Sequence, residues 1–180
     1  MKIKTWIVSD THFGHKEIIK YQRDNYKNIT DMNENIIKDW NNIISKDDTV
    51  IHLGDVSVGI TKEEIETIIK QLNGNIILIP GNHERKNLLE NRHFYNQVGF
   101  KNVEQDIDHM VIGKLVLSHE PVDFIPEGYF NIHGHVHQGP SRELFDKDRN
   151  RKNVCMEQKI IPLELKQEWI DGDFSSLKNV

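Results

Sequence analysis

Apolar residues along this chain come in two rhythms. Five short runs, KTWIVS (4–9), TVIHLG (49–54), NIILIPG (75–81), KLVLS (114–118) and YFNIHG (129–134), are rich in branched side chains and bounded by turn or polar residues, which predicts buried strands. Between the first two, Met32, Ile36, Ile37, Trp40, Ile43 and Ile44 recur at helical spacing within DMNENIIKDWNNII. Between the second and third, Ile65, Ile68, Ile69 and Leu72 do the same within TKEEIETIIKQL, where Thr61 and Glu64 have the spacing of a capping box. Strand, helix, strand, helix, strand predicts an α/β layered fold. The tail KIIPLELKQEWI predicts a last strand and a closing turn, and the charged stretch QGPSRELFDKDRNRKN (138–153) an exposed loop. No internal repeat, linker or composition break divides the chain, so residues 1–180 read as one domain.

The polar residues gather where those strands end. Ser9, Asp10, Thr11 and His12 follow the first, Gly54 and Asp55 the second, Gly81, Asn82 and His83 the third, Ser118 and His119 the fourth, and His135 and His137 the fifth. Carboxyl ends of strands are where open α/β sheets assemble their sites. The donors are carboxylate, amide oxygen and imidazole without a thiolate, a set suited to zinc, manganese, iron or nickel and unlike a closed structural zinc site. Asp10, Asp55, Asn82 and four or five of the histidines His12, His83, His119, His135 and His137 are more donors than one tetrahedral ion requires. Two ions sharing one carboxylate would use them all, with room for a water or hydroxide; ions about 3.5 to 4 Å apart are an established arrangement for attack at phosphorus.

Composition narrows the partners. Twenty-three basic against 28 acidic residues leave a formal charge of -5 over 180 residues, which disfavours a protein that coats nucleic acid. The single cysteine, Cys155, cannot form an internal bridge, which points to a reducing compartment. No apolar run approaches the roughly 18 to 20 residues needed to cross a bilayer, and MKIKTWIVSD turns polar too early for a secretory signal. The expectation is a soluble cytoplasmic protein with no membrane partner.

The blocks Asp10-x-His12, Gly54-Asp55, Gly81-Asn82-His83-Glu84, His119 and Gly134-His135-x-His137, in that order over residues 10 to 137, resemble the calcineurin-like metallophosphoesterase superfamily. SDTHFGH and HLGD are similar to its compact bacterial and phage-type members. The resemblance implies a layered αββα sandwich with a dinuclear metal site at the carboxyl ends of the strands. It implies that Asp10, His12 and His137 hold one ion, Asn82, His119 and His135 the other, and that Asp55 bridges them. It also implies that His83 lies beside the substrate phosphate, stabilising developing charge or protonating the leaving oxygen. Glu84 stands where an acidic neighbour, more usually Asp, orients that histidine. The implied reaction is phosphoester hydrolysis, a metal-bridging hydroxide attacking phosphorus in line, with two divalent ions, manganese ahead of zinc, iron or nickel.

The substrate stays open at this level. A small phosphodiester or nucleotide-like molecule is preferred; a phosphomonoesterase, a nuclease with the same site, and a non-catalytic metal-binding interaction module such as the retromer-subunit relative are the alternatives. Nucleic acid is not favoured, and a homo-oligomer is left open. Arg85, His15 and Arg149 are assigned to substrate binding, since guanidinium clamps phosphate bidentately, with Arg142 and Arg151 sharing the charged loop. His133 and His52 are read as supporting or packed residues, His93 and His109, with no motif around them, as residues without a functional role, and Cys155 as a packed apolar residue.

Overall fold

The computed structural model describes residues 2–90, 95, 99, 100, 102, 103, 108–138 and 150–177. Among the described residues two sheets form, one of five strands and one of four. In the first, β1 (Thr5–Val8), β2 (Thr49–His52), β3 (Asn75–Leu78) and β4 (Asn102–Val103) run parallel, and β9 (Leu163–Glu164) closes the far edge antiparallel to β1. The second contains β5 (His109–Ile112), antiparallel to β6 (Leu115–Ser118), followed by the parallel partners β7 (Phe130–His133) and β8 (Arg151–Asn153).

Strand alternation explains why these runs are continuously apolar. Trp6, Val8, Val50, Ile76 and Leu78 belong to one buried cluster with Met32, Ile36, Trp40, Ile65 and Ile69 of the helices. The intervening Ile7, Ile51 and Ile79 belong to a second cluster with Leu115, Leu117, Phe130 and Ile132 of the other sheet. The first sheet is therefore covered by helices on one face and by the second sheet on the other, so its strands are apolar on both. The crossovers are α2 (Ile29–Ile43), capped by the Asn28 side chain accepting from the Asp31 N–H, and α3 (Lys62–Ile69), which begins with the expected capping box between Thr61 and Glu64.

The strand ranges expected from sequence match β1, β2, β3, β6 and β7, and the tail supplies β9 and the short helix α5, here Gln167–Asp171. Two short helices were not expected, α1 (Ile18–Tyr21) and α4 (Asn82–Glu90), nor were β4 and β5. The expected loop 138–153 needs correction at its end, since Arg151–Asn153 is strand β8, an edge where charged residues are at home. Among the described residues no helix is long and apolar enough to cross a membrane.

Candidate metal centre

The parallel register sets the site's position. Val8 pairs with His52, His52 with Leu78, and Ser118 with His133, so the strands of each sheet end level and hand their following loops to one place. The loop after β1 is tied to the loop after β2 by N–H groups of Asp10, His12 and Phe13 donating to carbonyls of Gly54, Asp55 and Val56 at 3.0, 3.0 and 2.8 Å. Gly134 completes the approach from the second sheet: a Cβ there would overlap the Asp10 carboxylate and the Ser9 hydroxyl.

Asp10, His12, Asp55 and His135 have φ of 57, 51, 53 and 65°, and they are the non-glycine residues with positive φ among those described. Each left-handed residue of this kind costs of order 1–3 kcal/mol. Among the described residues, the non-glycine positive φ values thus fall on four of the expected ligands.

Two donor groups face each other across Asp55. In the first, Asp10 Oδ1 lies 3.7 Å from both His12 Nε2 and His137 Nε2, and the two imidazole nitrogens are 3.2 Å apart. The other carboxylate oxygen of Asp10 accepts the His135 N–H at 3.0 Å, but Oδ1 is buried without a hydrogen-bond partner. A buried carboxylate oxygen left facing two ring nitrogens fits a cation, which would supply the missing charge. In the second group, Asn82 Oδ1 is 2.9 Å from both His119 Nε2 and His135 Nδ1, and those nitrogens are 3.1 Å apart. Asp55 Oδ2 stands between, 3.6 Å from His12 Nε2 and 3.5 Å from His119 Nε2, while Asp55 Oδ1 accepts the His83 N–H at 3.1 Å.

Neighbouring backbone fixes several rings. The Leu53 carbonyl can only accept, so His119 Nδ1–H donates to it at 2.8 Å and turns Nε2 toward the site. His52 Nδ1 accepts the Gly54 N–H, its Nε2–H faces Thr11 Oγ1 at 3.1 Å, and that hydroxyl donates to the Val56 carbonyl at 2.9 Å. His52 thus supports the two loops from a buried position stacked on Trp40.

Protonation follows burial and charge. Burial pushes Asp10 up, but the close His12 ring and the His119 charge outweigh it and hold the carboxyl well below its ordinary value. Burial pulls His12 down to about 4 and His52 to about 3, so both are neutral rings. His135 is lowered by burial and by the His119 charge. His119 goes the other way: burial would lower it, but the hydrogen bond to Asp55 and the charges of Asp10 and Asp55 lift it to about 9.

His83 is half-exposed, its ring edge-on to His12 at 5.5 Å between centroids and its Nε2 3.8 Å from Asp55 Oδ2. With His12, His15, Asp55, Asn82, His135 and His137 it walls a cavity of about 280 Å³ that extends past Glu17, Ile18, Tyr21 and Gln22. His15 also lies on this wall, its Nδ1 3.2 Å from His12 Nδ1.

Three expectations need correction or fall elsewhere. Glu84 does not orient His83: its carboxylate is fully buried and accepts backbone N–H groups of Asp55, Val56 and Gly81 at 2.6, 2.8 and 2.8 Å, because its neighbouring position on α4 turns it to the opposite side. Arg85 is not on the cavity wall; its guanidinium pairs with Asp108 at 3.0 Å. Arg149 and Arg142, with His93, lie outside the described residues, while Arg151 donates to the Val122 carbonyl. His133 is buried and donates its Nδ1–H to the Gly134 carbonyl at 2.9 Å, and His109 is exposed on β5.

Arg23 was missed altogether. It is fully buried, and its guanidinium donates to the carbonyls of Asp10, Thr11 and Met156. Only the rarity of a buried arginine marks it, and exposure is invisible in the surrounding YQRDNY.

Over 83 residues the chain is 40% identical to an uncharacterized protein of Methanocaldococcus jannaschii, a match covering 46% of this chain and 47% of that protein. It is 38% identical over 82 residues to the gene 66 protein of Mycobacterium phage L5, covering 44% and 39% of the two. The match thus spans less than half the length of either relative. The crystal structure of a protein of unknown function from Aquifex aeolicus superposes with a TM-score of 0.64 at 26% identity, covering 91% of this chain and 96% of that one. A family model described as calcineurin-like phosphoesterase matches residues 3–172, and with two His/Asp donor groups at the ends of parallel strands the conclusion is that this chain belongs to the calcineurin-like phosphoesterase family.

Proposed function

We propose that this metal-dependent phosphoesterase holds two divalent ions and hydrolyses a small phosphodiester. The observation that carries the reading is the pair of donor groups, Asp10, His12 and His137 on one side and Asp55, His119 and His135 with Asn82 on the other, meeting at Asp55. Asp55 would be shared between the ions, and manganese is the preferred occupant. Ions held there would acidify bound water and neutralise charge on the phosphoryl oxygens.

The chain's own residues do the rest. His83, on the first turn of α4 and open to the cavity, is placed to donate a hydrogen bond to a phosphoryl oxygen or a proton to the leaving oxygen. His15, between His12 and the rim, is placed to hold the phosphate. The cavity extends beyond it past Ile18 and the strongly exposed Tyr21, and this room beside the phosphate supports the preference for a diester over a monoester.

The test is metal-stripped protein refilled with Mn²⁺, Zn²⁺, Ni²⁺ or Mg²⁺ and assayed on bis-p-nitrophenyl phosphate and on p-nitrophenyl phosphate. Restored diester cleavage is expected, with His83→Ala binding the same ions while kcat drops about 10²–10⁴-fold. Hydrolysis of the monoester alone would overturn the diester preference, and ion uptake without any turnover would move an interaction module to the front. A second expectation concerns the rim: Tyr21→Ala should raise KM for the aryl diester several-fold and leave kcat nearly unchanged, since stacking on an aromatic ring contributes about 1–3 kcal/mol. Equal KM values for the two proteins would remove Tyr21 from the substrate site.

A further inference from the structure

His137 has two ring nitrogens, and the first donor group uses one of them. Nε2 faces His12 Nε2 at 3.2 Å and Asp10 Oδ1 at 3.7 Å. Nδ1 is the nitrogen nearer to Cys155 Sγ, at 3.2 Å against 3.8 Å for Nε2, and it lies 3.6 Å from Glu157 Oε2. Which nitrogen carries the proton decides whether the ring offers a lone pair to the donor group, so the groups behind Nδ1 bear directly on the site.

The segment carrying Cys155 and Glu157 is pinned to the same loops that build the centre. Cys155 forms a parallel bridge with Ser9 and donates its N–H to Asn153 Oδ1 at 2.8 Å, and the Met156 N–H donates to the Ser9 carbonyl at 3.3 Å. The Met156 carbonyl takes the Arg23 guanidinium at 2.9 Å. Glu157 Oε1 accepts the Gln138 N–H at 2.9 Å, from the residue that follows His137, which leaves Oε2 turned to the ring. One oxygen of this carboxylate, on the short strap that follows β8, is thus anchored to the backbone next to His137.

We propose that Glu157 is a positioning residue, its carboxylate drawing the proton of His137 to Nδ1 and so holding Nε2 as the lone-pair donor beside Asp10 and His12, with Cys155 packing against the same ring. A carboxylate behind an imidazole ligand fixes its tautomer and raises its basicity. The part of this inference that concerns ion affinity rests on the two-ion reading above; the part that concerns the tautomer does not.

The experiment uses the full chain, metal-free and then titrated with Mn²⁺ or Zn²⁺, as wild type, Glu157→Gln, Glu157→Met and Cys155→Ala. Long-range ¹⁵N–¹H NMR of the metal-free proteins is expected to show His137 protonated at Nδ1 in wild type and in Cys155→Ala. Glu157→Met should shift it toward the Nε2–H form, with Glu157→Gln between. His119, whose Nδ1–H is held by the Leu53 carbonyl, is the internal control and should not change in any of them. Calorimetric titration should then show one ion bound about 10–100-fold more weakly in Glu157→Met and the other unaffected.

The proposal is overturned if Glu157→Met keeps the wild-type His137 tautomer, if Cys155→Ala alone moves it, or if His119 moves equally, which would signal loosening of the whole centre. Wild type taking up no ion would defeat the two-ion reading, and the tautomer comparison would still decide the role of Glu157.

Discussion

Asp55→Ala is expected to bind fewer ions than wild type and to lose about 10³-fold or more in kcat/KM, the largest activity loss of any single substitution in this chain. The reason is position. Asp55 Oδ2 lies within 3.6 Å of a nitrogen from each donor group, and no other carboxylate oxygen among the described residues does so. Asp55 Oδ1 also accepts the His83 N–H, so the substitution releases the first turn of α4 as well. Metal content measured after gel filtration, beside the diesterase rate, checks this; both ions retained with a rate within tenfold of wild type would remove Asp55 from the shared position. The metal-free protein provides a second readout. His119 is raised from 6.5 to about 9 against the opposing effect of burial, chiefly by the hydrogen bond to Asp55 with the charges of Asp10 and Asp55. A histidine raised in the folded state contributes stability that is fully present below pH 6.5 and is lost as pH rises through about 9. Metal-free wild type should therefore soften over that window in denaturant titrations, and Asp55→Ala should do so much less.

What the sequence made legible was set by how local each signal is. Strands β1, β2 and β3 are apolar on both faces because a helix layer and a second sheet cover them, and that shows as continuous runs such as KTWIVS and NIILIPG. The polar residues just after those runs were legible for the same reason, since parallel register carries every strand end to one level. Elements that depend on distant partners were not. The edge strand β8 is Arg-Lys-Asn, which reads as loop until β7 is beside it. Glu84 illustrates the limit within the site: adjacency to His83 suggested a pair, but neighbours on a helix point about 100° apart, and its carboxylate serves three backbone amides of the Gly54 and Gly81 turns. Arg85 failed similarly, because nothing local reveals Asp108 as its partner. Cys155 and Glu157 carry no motif and acquire meaning only through their distance from a histidine 18 and 20 positions earlier.

Arg23→Met is expected to destabilise the protein by about 3–5 kcal/mol and to weaken ion binding, although Arg23 belongs to neither donor group. The backbone of the first loop explains why. Asp10 and His12 are both left-handed; their N–H groups pair with Gly54 and Asp55 carbonyls, and the carbonyls of Asp10 and Thr11 turn to Arg23. One planar guanidinium satisfies those two carbonyls and that of Met156, joining the first loop to the strap that carries Glu157. Methionine fills similar volume and supplies no donor, so three buried carbonyls lose their partner at once, each a cost of about 1–3 kcal/mol reduced by local relaxation. Lysine, with its charge concentrated at one nitrogen, reproduces the fork poorly, and Arg23→Lys should recover only part of the loss. Denaturant midpoints of the metal-free proteins measure the stability term directly, and ion titration of each variant measures how far the loop has moved. If Arg23→Met unfolds within about 1 kcal/mol of wild type and binds both ions normally, the strain at Asp10 and His12 is held by the β1 and β2 loops alone.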